Sequence, residues 1–319
     1  MIRVFVIVSF VLLATLPVQG QCFASAGNPM GGGANLGVMQ QGTLRTMAFY
    51  RHHAGSQYYQ GNEKYNGISR LYQRASYNYL GSLLAYGITD RLTAELETGY
   101  FLDKTLEYRL GGITQQGYGL SNAVTSMKYA IYSNQEKRFE VSAAAGISIP
   151  FRNEYMRVNG VELPEDAQPT IAAYGLVLQS FVVKENSFTA MRYFWINRFE
   201  TYSVNPKGEI FGNAWQSAAF ISRHFIFGDG LFKDWTAILQ LRYQHHGQTL
   251  HEETQKITES SGGRQLLVAP QINVSINQQW NLSVLFEKPL YQYQNGIQLG
   301  VDYAVLVNLA RDFNIRNKE

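Results

Sequence analysis

The 319-residue sequence predicts an all-β chain, an antiparallel transmembrane β-barrel of about twelve strands. Three observations predict it. The chain opens on an export signal, and no later apolar run is long enough to span a bilayer as a helix. Segments of about ten residues alternate strictly between apolar and polar or small side chains. Short connections alternate with long ones along the whole chain.

The export signal comes first. Arg3 supplies a positive start, Val4 to Leu16 is apolar, Pro17 breaks the run, and Val18-Gln19-Gly20 suits cleavage after Gly20. Residues 1–20 therefore read as a signal peptide, and the mature chain is expected in the cell outer membrane. A lipoprotein signal using Cys22 is the rival, but Gln19-Gly20-Gln21 lacks the aliphatic residue usual three positions before the cysteine. Cys22 is the only cysteine, which excludes an internal disulfide framework.

Composition narrows the class further. Charged residues are 16% of the chain against 45% hydrophobic, fewer charges than a soluble domain carries, and 21 Tyr, 18 Phe and 29 Gly suit a surface that meets lipid through aromatic girdles. A net charge of +3 without a basic run gives no reason to expect nucleic acid as a partner. The expected partners are outer-membrane lipid, the barrel-assembly machinery during insertion, and a small-molecule solute that the sequence does not identify.

Residues 21–42 are Gly-rich, with Gly31-Gly32-Gly33 and Gly37, and read as an irregular segment in the periplasm or a small plug in the lumen. The barrel proper is expected over 43–313, with a periplasmic tail at 314–319. Its clearest strand is Phe139 to Phe151, where Phe139, Val141, Ala143, Ala145, Ile147, Ile149 and Phe151 alternate with a set containing Glu140, Ser142, Gly146 and Ser148. The same period organises 92–100, 235–244, 265–276 and 299–309. Pro270 cannot donate to a ladder and predicts a bulge or break. Weaker candidates at 43–53, 74–87, 119–132, 170–183, 188–199, 211–226 and 281–288 complete the set. Short links at 89–91, 134–137, 184–187, 228–230 and 277–279 predict periplasmic turns. Longer segments at 54–73, 103–118, 152–169, 200–210, 247–264 and 289–297 predict extracellular loops. Trp235, Trp280, Phe139, Phe188, Phe225 and Phe227 flank the short turns, where girdle aromatics belong. The last strand closes on the aromatic Phe313, as a strand read by assembly machinery would.

Strand parity points Glu95, Glu97, Arg242 and Asp302 into the lumen, and Lys128 and Glu287 with them. Such charges line a pore, or pair with one another to fill a narrow interior. Arg192, Arg198 and Arg223 lie where parity is ambiguous. His52-His53 and His245-His246 are adjacent pairs whose side chains must point to opposite faces, so each pair offers at most one inward ligand; no metal site and no cofactor are expected. Ser222 and His224 share a face but lack a recognisable acidic or amide orienter, so no enzyme is expected.

One region carries a more specific likeness. Gly146-Ile147-Ser148-Ile149-Pro150, Asn159-Gly160-Val161-Glu162-Leu163-Pro164 and Gln168-Pro169-Thr170 resemble segments of outer-membrane barrels known as transporter-like or meta-pathway of phenol degradation proteins. That family shows a Gly–Pro strand end, a Leu-Pro in the loop and a Gln-Pro-Gly entering the next strand; Thr170 departs from it. Cys22 to Pro29 looks like the mature start of Bacteroidota barrels. The resemblance implies an outer-membrane barrel that moves small solutes, apolar or aromatic ones among them. The functional expectation is a passive channel or transporter. The rivals are a surface barrel whose loops bind a partner and a lipid-modifying enzyme.

Overall fold

A computed structural model describes residues 37–67, 72–276 and 280–315. The expected signal peptide at 1–20, Cys22, Gly31-Gly32-Gly33, the expected turn at 277–279 and the residues beyond Ile315 lie outside the described residues.

Twelve antiparallel strands close into one barrel. They are β1 (Thr43–Gly55), β2 (Tyr72–Thr89), β3 (Leu92–Tyr108), β4 (Ala123–Asn134), β5 (Phe139–Ile149) and β6 (Gly175–Asn186). The second half comprises β7 (Met191–Tyr202), β8 (Ala214–Ile226), β9 (Asp234–His246), β10 (Gly263–Ile276), β11 (Trp280–Leu299) and β12 (Tyr303–Asn314). Each strand pairs with its neighbours in sequence, and β12 returns to β1 over Thr43↔Asn314 to Ala54↔Tyr303. Through closure every strand of the barrel finds partners for its backbone groups on both sides.

The alternation sorts side chains as the period requires. Along β9, Asp234, Thr236, Ile238, Gln240 and Arg242 are buried, while Leu239 and Leu241 are exposed. Along β4, Val124, Ser126, Lys128 and Ala130 are buried, while Met127, Tyr129 and Ile131 are exposed. The buried face is the lumen and the exposed apolar face meets lipid.

One end carries short turns. Asp90–Arg91 joins β2 to β3, and at 135–138 a four-residue turn closes β4 to β5. There the Asn134 side chain accepts from the Lys137 N–H, and Arg138 takes the left-handed conformation at φ 46°. Phe225, Phe227 and Trp235 cluster at this end, with centroids 6.0 and 6.4 Å apart, and Phe188 is fully exposed in its turn. Both chain termini of the described barrel meet here, the Ile315 N–H donating to Gly42.

The opposite end differs from expectation in three places. Strand β3 runs on to Tyr108 and pairs with Thr114–Leu120, making a hairpin above the barrel where a loop was expected over 103–118. Strand β11 runs to Leu299, through the expected loop at 289–297, and its far end pairs with Tyr58–Gly61 of the β1–β2 connection. The link to β12 is therefore only Gly300–Asp302. Both extensions contain register shifts, between Phe101 and Lys104 and opposite Leu266/Leu267, which break the two-residue period the sequence reading depends on. Pro270 itself lies in register opposite Leu239; the irregularity sits in the partner strand, where Pro289 and Tyr291 pair with adjacent residues and Leu290 is extra.

Leu241 sits midway along β9 on the lipid face. Leu241→Arg should cost about 2–4 kcal/mol of stability at the bilayer midplane. Denaturant titration in phosphatidylcholine vesicles measures it, and no loss would mean that this face does not meet lipid.

Candidate functional site

Closing twelve strands leaves an interior wider than eight strands need but narrower than an open porin, and side chains reach across it. Lumen-facing charges form ion-paired clusters. Lys128 on β4 donates to Glu95 on the adjacent β3 at 2.6 Å, and the two are 0% and 7% exposed. The Lys128 ammonium also lies 4.1 Å from the Phe181 ring centroid. Arg198 on β7 reaches Glu97 on β3 at 3.0 Å and also holds Glu200, which accepts from the Tyr202 hydroxyl. Because four strand steps separate β3 from β7, the Arg198–Glu97 bond is a chord through the lumen. On the other side Glu287 of β11 holds two guanidiniums, Arg51 of β1 at 2.9 Å and Arg242 of β9.

Five of the six residues singled out by parity thus stand on the inner wall, in three clusters. Asp302 does not. It lies in the Gly300–Asp302 link, accepts from the Ser56 hydroxyl at 2.7 Å, and its N–H donates to Ala54. Extending the alternation of β12 back past Tyr303 put it in the wall, but the strand has already ended there. Arg192 and Arg198 face inward with the even positions of β7, whereas Arg223 shares the outer face of Ile221. Sequence parity left Arg198 unassigned, and only the fold shows that it bridges two walls.

Apolar side chains fill much of the remaining wall. Phe181, Phe194, Ile196, Phe220 and Ile238 form one cluster on β6–β9. Met47, Phe49, Leu83, Leu285 and Leu306 form a second, facing it from β1, β2, β11 and β12. Gly81 and Gly99 make the second possible: a Cβ at Gly81 would lie 2.1 Å from the Phe49 ring, and one at Gly99 would lie 2.1 Å from the Tyr79 hydroxyl.

At the short-turn end the chain before β1 crosses the mouth. The Val38 N–H donates to Glu140 at 2.9 Å, the Met39 N–H to Thr93 at 2.8 Å and the Gln41 N–H to Asp90 at 3.0 Å. Residues 38–41 therefore traverse β2 and β3 towards β5. At the other end the β5–β6 connection folds into a cap. Its Leu163, Met156 and Ala167 pack on Leu106 of β3. The Gln168 side chain ties it by accepting from Met156 N–H and donating to the Met156 and Leu163 carbonyls. The Leu163-Pro164 and Gln168-Pro169 pairs noticed in the sequence are therefore the framework of this cap.

The cap meets the β7–β8 connection through ionisable groups outside the membrane. Lys207 pairs with Glu162 at 2.7 Å, and Asn205 donates to the Tyr155 hydroxyl and to Glu209. Burial, then a hydrogen bond to Glu209, pushes Glu165 up to about 7. Burial works against ionisation of Glu209 as well, but bonds from Glu165 and Asn205 and the Lys207 charge outweigh it and hold its carboxyl low. Glu165 thus carries the proton between them.

The His52-His53 pair splits across the wall: His52 meets Asn78 at 2.8 Å on the outer face, and His53 stacks on Tyr77 inside. Among the described residues no three His, Cys, Asp or Glu side chains are grouped as metal ligands. Ser222 and His224 face the lumen, and the fold supplies an acid the sequence did not reveal, Asp234, 3.6 Å from His224 Nε2.

No family model matches the chain, and no curated protein matches it in sequence. Solved structures match in fold. An outer-membrane channel from Pseudomonas putida F1 aligns over 88% of this chain and 98% of its own with a TM-score of 0.66 at 14% identity. The β domain of the Bordetella autotransporter BrkA aligns over 86% and 100% with a TM-score of 0.52 at 9% identity. The chain has the fold of an outer-membrane β-barrel.

Two outcomes test this interior. Lys128→Met leaves the Glu95 carboxylate buried without its cation and should cost about 3–5 kcal/mol, most of it recovered in the Glu95→Gln/Lys128→Met double variant. Equal losses in the two variants in denaturant titration would refute the pairing. For the cap, protonated Glu165 contributes stability that is full below its unfolded value and lost as pH rises through about 7. Ionised Glu209 contributes stability that is lost as pH falls below the usual carboxylate range. Protease cleavage within 150–174 should therefore be slowest near pH 4.5, where both contributions are present, and quicken as pH rises to about 7, and Glu165→Gln should flatten the upper limb.

Proposed function

We propose that the protein is a passive outer-membrane channel for small solutes, exported by its N-terminal signal and oriented with the short turns in the periplasm. The observation that supports this reading best is the lumen itself, whose charges are arranged as ion pairs across a wall of apolar and aromatic side chains. Such a lining suits solutes that are small and partly apolar, aromatic ones among them. It does not suit large hydrated molecules, because the Arg198–Glu97 chord divides the cross-section. The Gly146 to Thr170 segment supports kinship with the transporter-like barrels, and residues 22–29 support the Bacteroidota type. No cofactor is invoked, and insertion is assigned to the barrel-assembly machinery.

A second reading, a surface barrel that binds a partner through its loops, draws support from the cap, which has its own packed core. Catalysis on lipid finds less support. A nucleophile for acyl chains belongs on the lipid face, and Ser222 and His224 face inward.

Purified protein in planar bilayers should show small, discrete conductance steps, and Arg198→Ala should enlarge them by removing the chord. A heat-modifiable, correctly inserted protein that passes neither ions nor small solutes would refute the channel and leave the loop-binding reading.

A further inference from the structure

The outer face of β9–β11 carries a patch at the long-loop end that nothing in the lumen explains. Strand register lays its outward residues in three rows. His245, Arg264 and Tyr293 face one another in the top row, Tyr243, Leu266 and Tyr291 in the next, and Leu241, Val268 and Lys288 in the third. Arg264 and Lys288 are exposed, and no acidic residue stands in any of the three rows. Among the described residues neither cation enters an ion pair. The Arg264 guanidinium lies over the Tyr293 ring, 4.7 Å from its centroid.

Depth places this patch at the rim of the apolar band. Trp280 opens β11 beside the short turns, and ordinary strand rise and tilt carry Lys288 about 20 Å up the barrel axis from it, against a band about 25 Å tall. Lys288 therefore leaves the wall just inside hydrocarbon, where its stem lies on apolar surface and its ammonium rises to the headgroups. Arg264 stands about 13 Å higher along the strands, a gap that two long side chains close over Leu266 and Tyr291. The register shift between Leu266 and Leu267 assembles the patch. It leaves Leu290 as an extra residue, 62% exposed, and brings Tyr291 and Tyr293 to the face that Lys288 occupies. Without it both rings would point into the lumen. Further round the rim the outer face is not basic: on β2–β3 it presents Asp103, which accepts from Asn78.

We propose that these three rows dock an anionic lipid of the outer leaflet by its phosphate. Arg264 offers a guanidinium fork to two phosphate oxygens, and Lys288 adds a point charge from below. Tyr243, Tyr291 and Tyr293 set amphipathic rings at headgroup depth, while Leu241, Val268 and Leu290 lie along the acyl chains. Two cations without an acid favour a headgroup of net negative charge over a zwitterion, which brings its own cation to the same place. The inference rests on the orientation proposed above, with the short turns in the periplasm. It does not rest on conduction, because both cations stand outside the lumen.

Arg264→Gln and Lys288→Gln exchange exposed side chains, and heat-modifiability on a gel verifies that both barrels close. Native mass spectrometry of the delipidated full chain in detergent, with diphosphoryl lipid A and phosphatidylcholine as probes, tests the surface. Diphosphoryl lipid A should bind at least tenfold more tightly than phosphatidylcholine. Each variant should lose at least threefold of that affinity and the double variant at least tenfold. Arg74→Gln removes an exposed cation at the long-loop end of β2 and should leave binding unchanged. Equal affinity for the two lipids overturns the surface, since acyl chains alone would then hold them. An equal loss in Arg74→Gln overturns it too, because the attraction would be diffuse. So does displacement by an equal concentration of inorganic phosphate, which would make a free anion the ligand. Protease added to intact cells reads the orientation separately. Cleavage within 150–174 keeps the outer leaflet, whereas selective binding with cleavage only after the outer membrane is breached overturns the outer-leaflet docking together with the orientation.

Discussion

Everything in this molecule depends on the return of β12 to β1. In hydrocarbon an unpaired backbone N–H or carbonyl has no water to turn to, and each costs several kcal/mol. Twelve registered pairs from Thr43↔Asn314 to Ala54↔Tyr303 remove that cost for both strands at once. Closure also fixes what each side chain can do. Once the sheet is a cylinder, every second residue is committed to lipid and the rest to a confined interior, whatever its chemistry. The exposed Leu239 and Leu241 and the buried Gln240 and Arg242 of β9 are the same rule read on two faces.

The confined interior then dictates pairing. A charge on a lumen wall that is shut off from bulk water must find a partner, and in a cylinder the partner need not be a neighbour along the sheet. Lys128 finds Glu95 one strand away, Arg51 and Arg242 converge on Glu287 from two strands away on either side, and Arg198 crosses four strands to Glu97. Glycine serves the same economy of space. Gly81 and Gly99 give up side chains so that the Phe49 and Tyr79 rings fit inside.

This explains what could be read from the sequence. Twelve strands, their order and the inward direction of Glu95, Glu97, Lys128, Arg242 and Glu287 follow from a period of two, which is local. What parity cannot give is partnership, because the Arg198–Glu97 chord joins residues 101 positions apart. Parity also fails wherever the period is interrupted. The extra residues near Leu102 and at Leu290 flip the alternation, so the upper parts of β3 and β11 looked like loops. Asp302 failed for the opposite reason: alternation continued in the letters after the strand had ended in space. Asp234 escaped notice because its place beside His224 depends on the β8–β9 register and not on any motif.

The cap and the lumen are joined by one side chain, and that joint makes them a single unit. Lys104 enters the interior only because the irregularity between Phe101 and Lys104 turns it inward. Its ammonium lies 5.1 Å from the Phe101 centroid and at the same time donates to the Gln168 carbonyl of the cap. Gln168 in turn holds the cap's own backbone at Met156 and Leu163. A shift of the cap therefore moves the Gln168 carbonyl, and with it the cation that sits over the upper rings of the lumen. The bulge that obscured this stretch of sequence is the feature that lets an outer loop touch the inner wall.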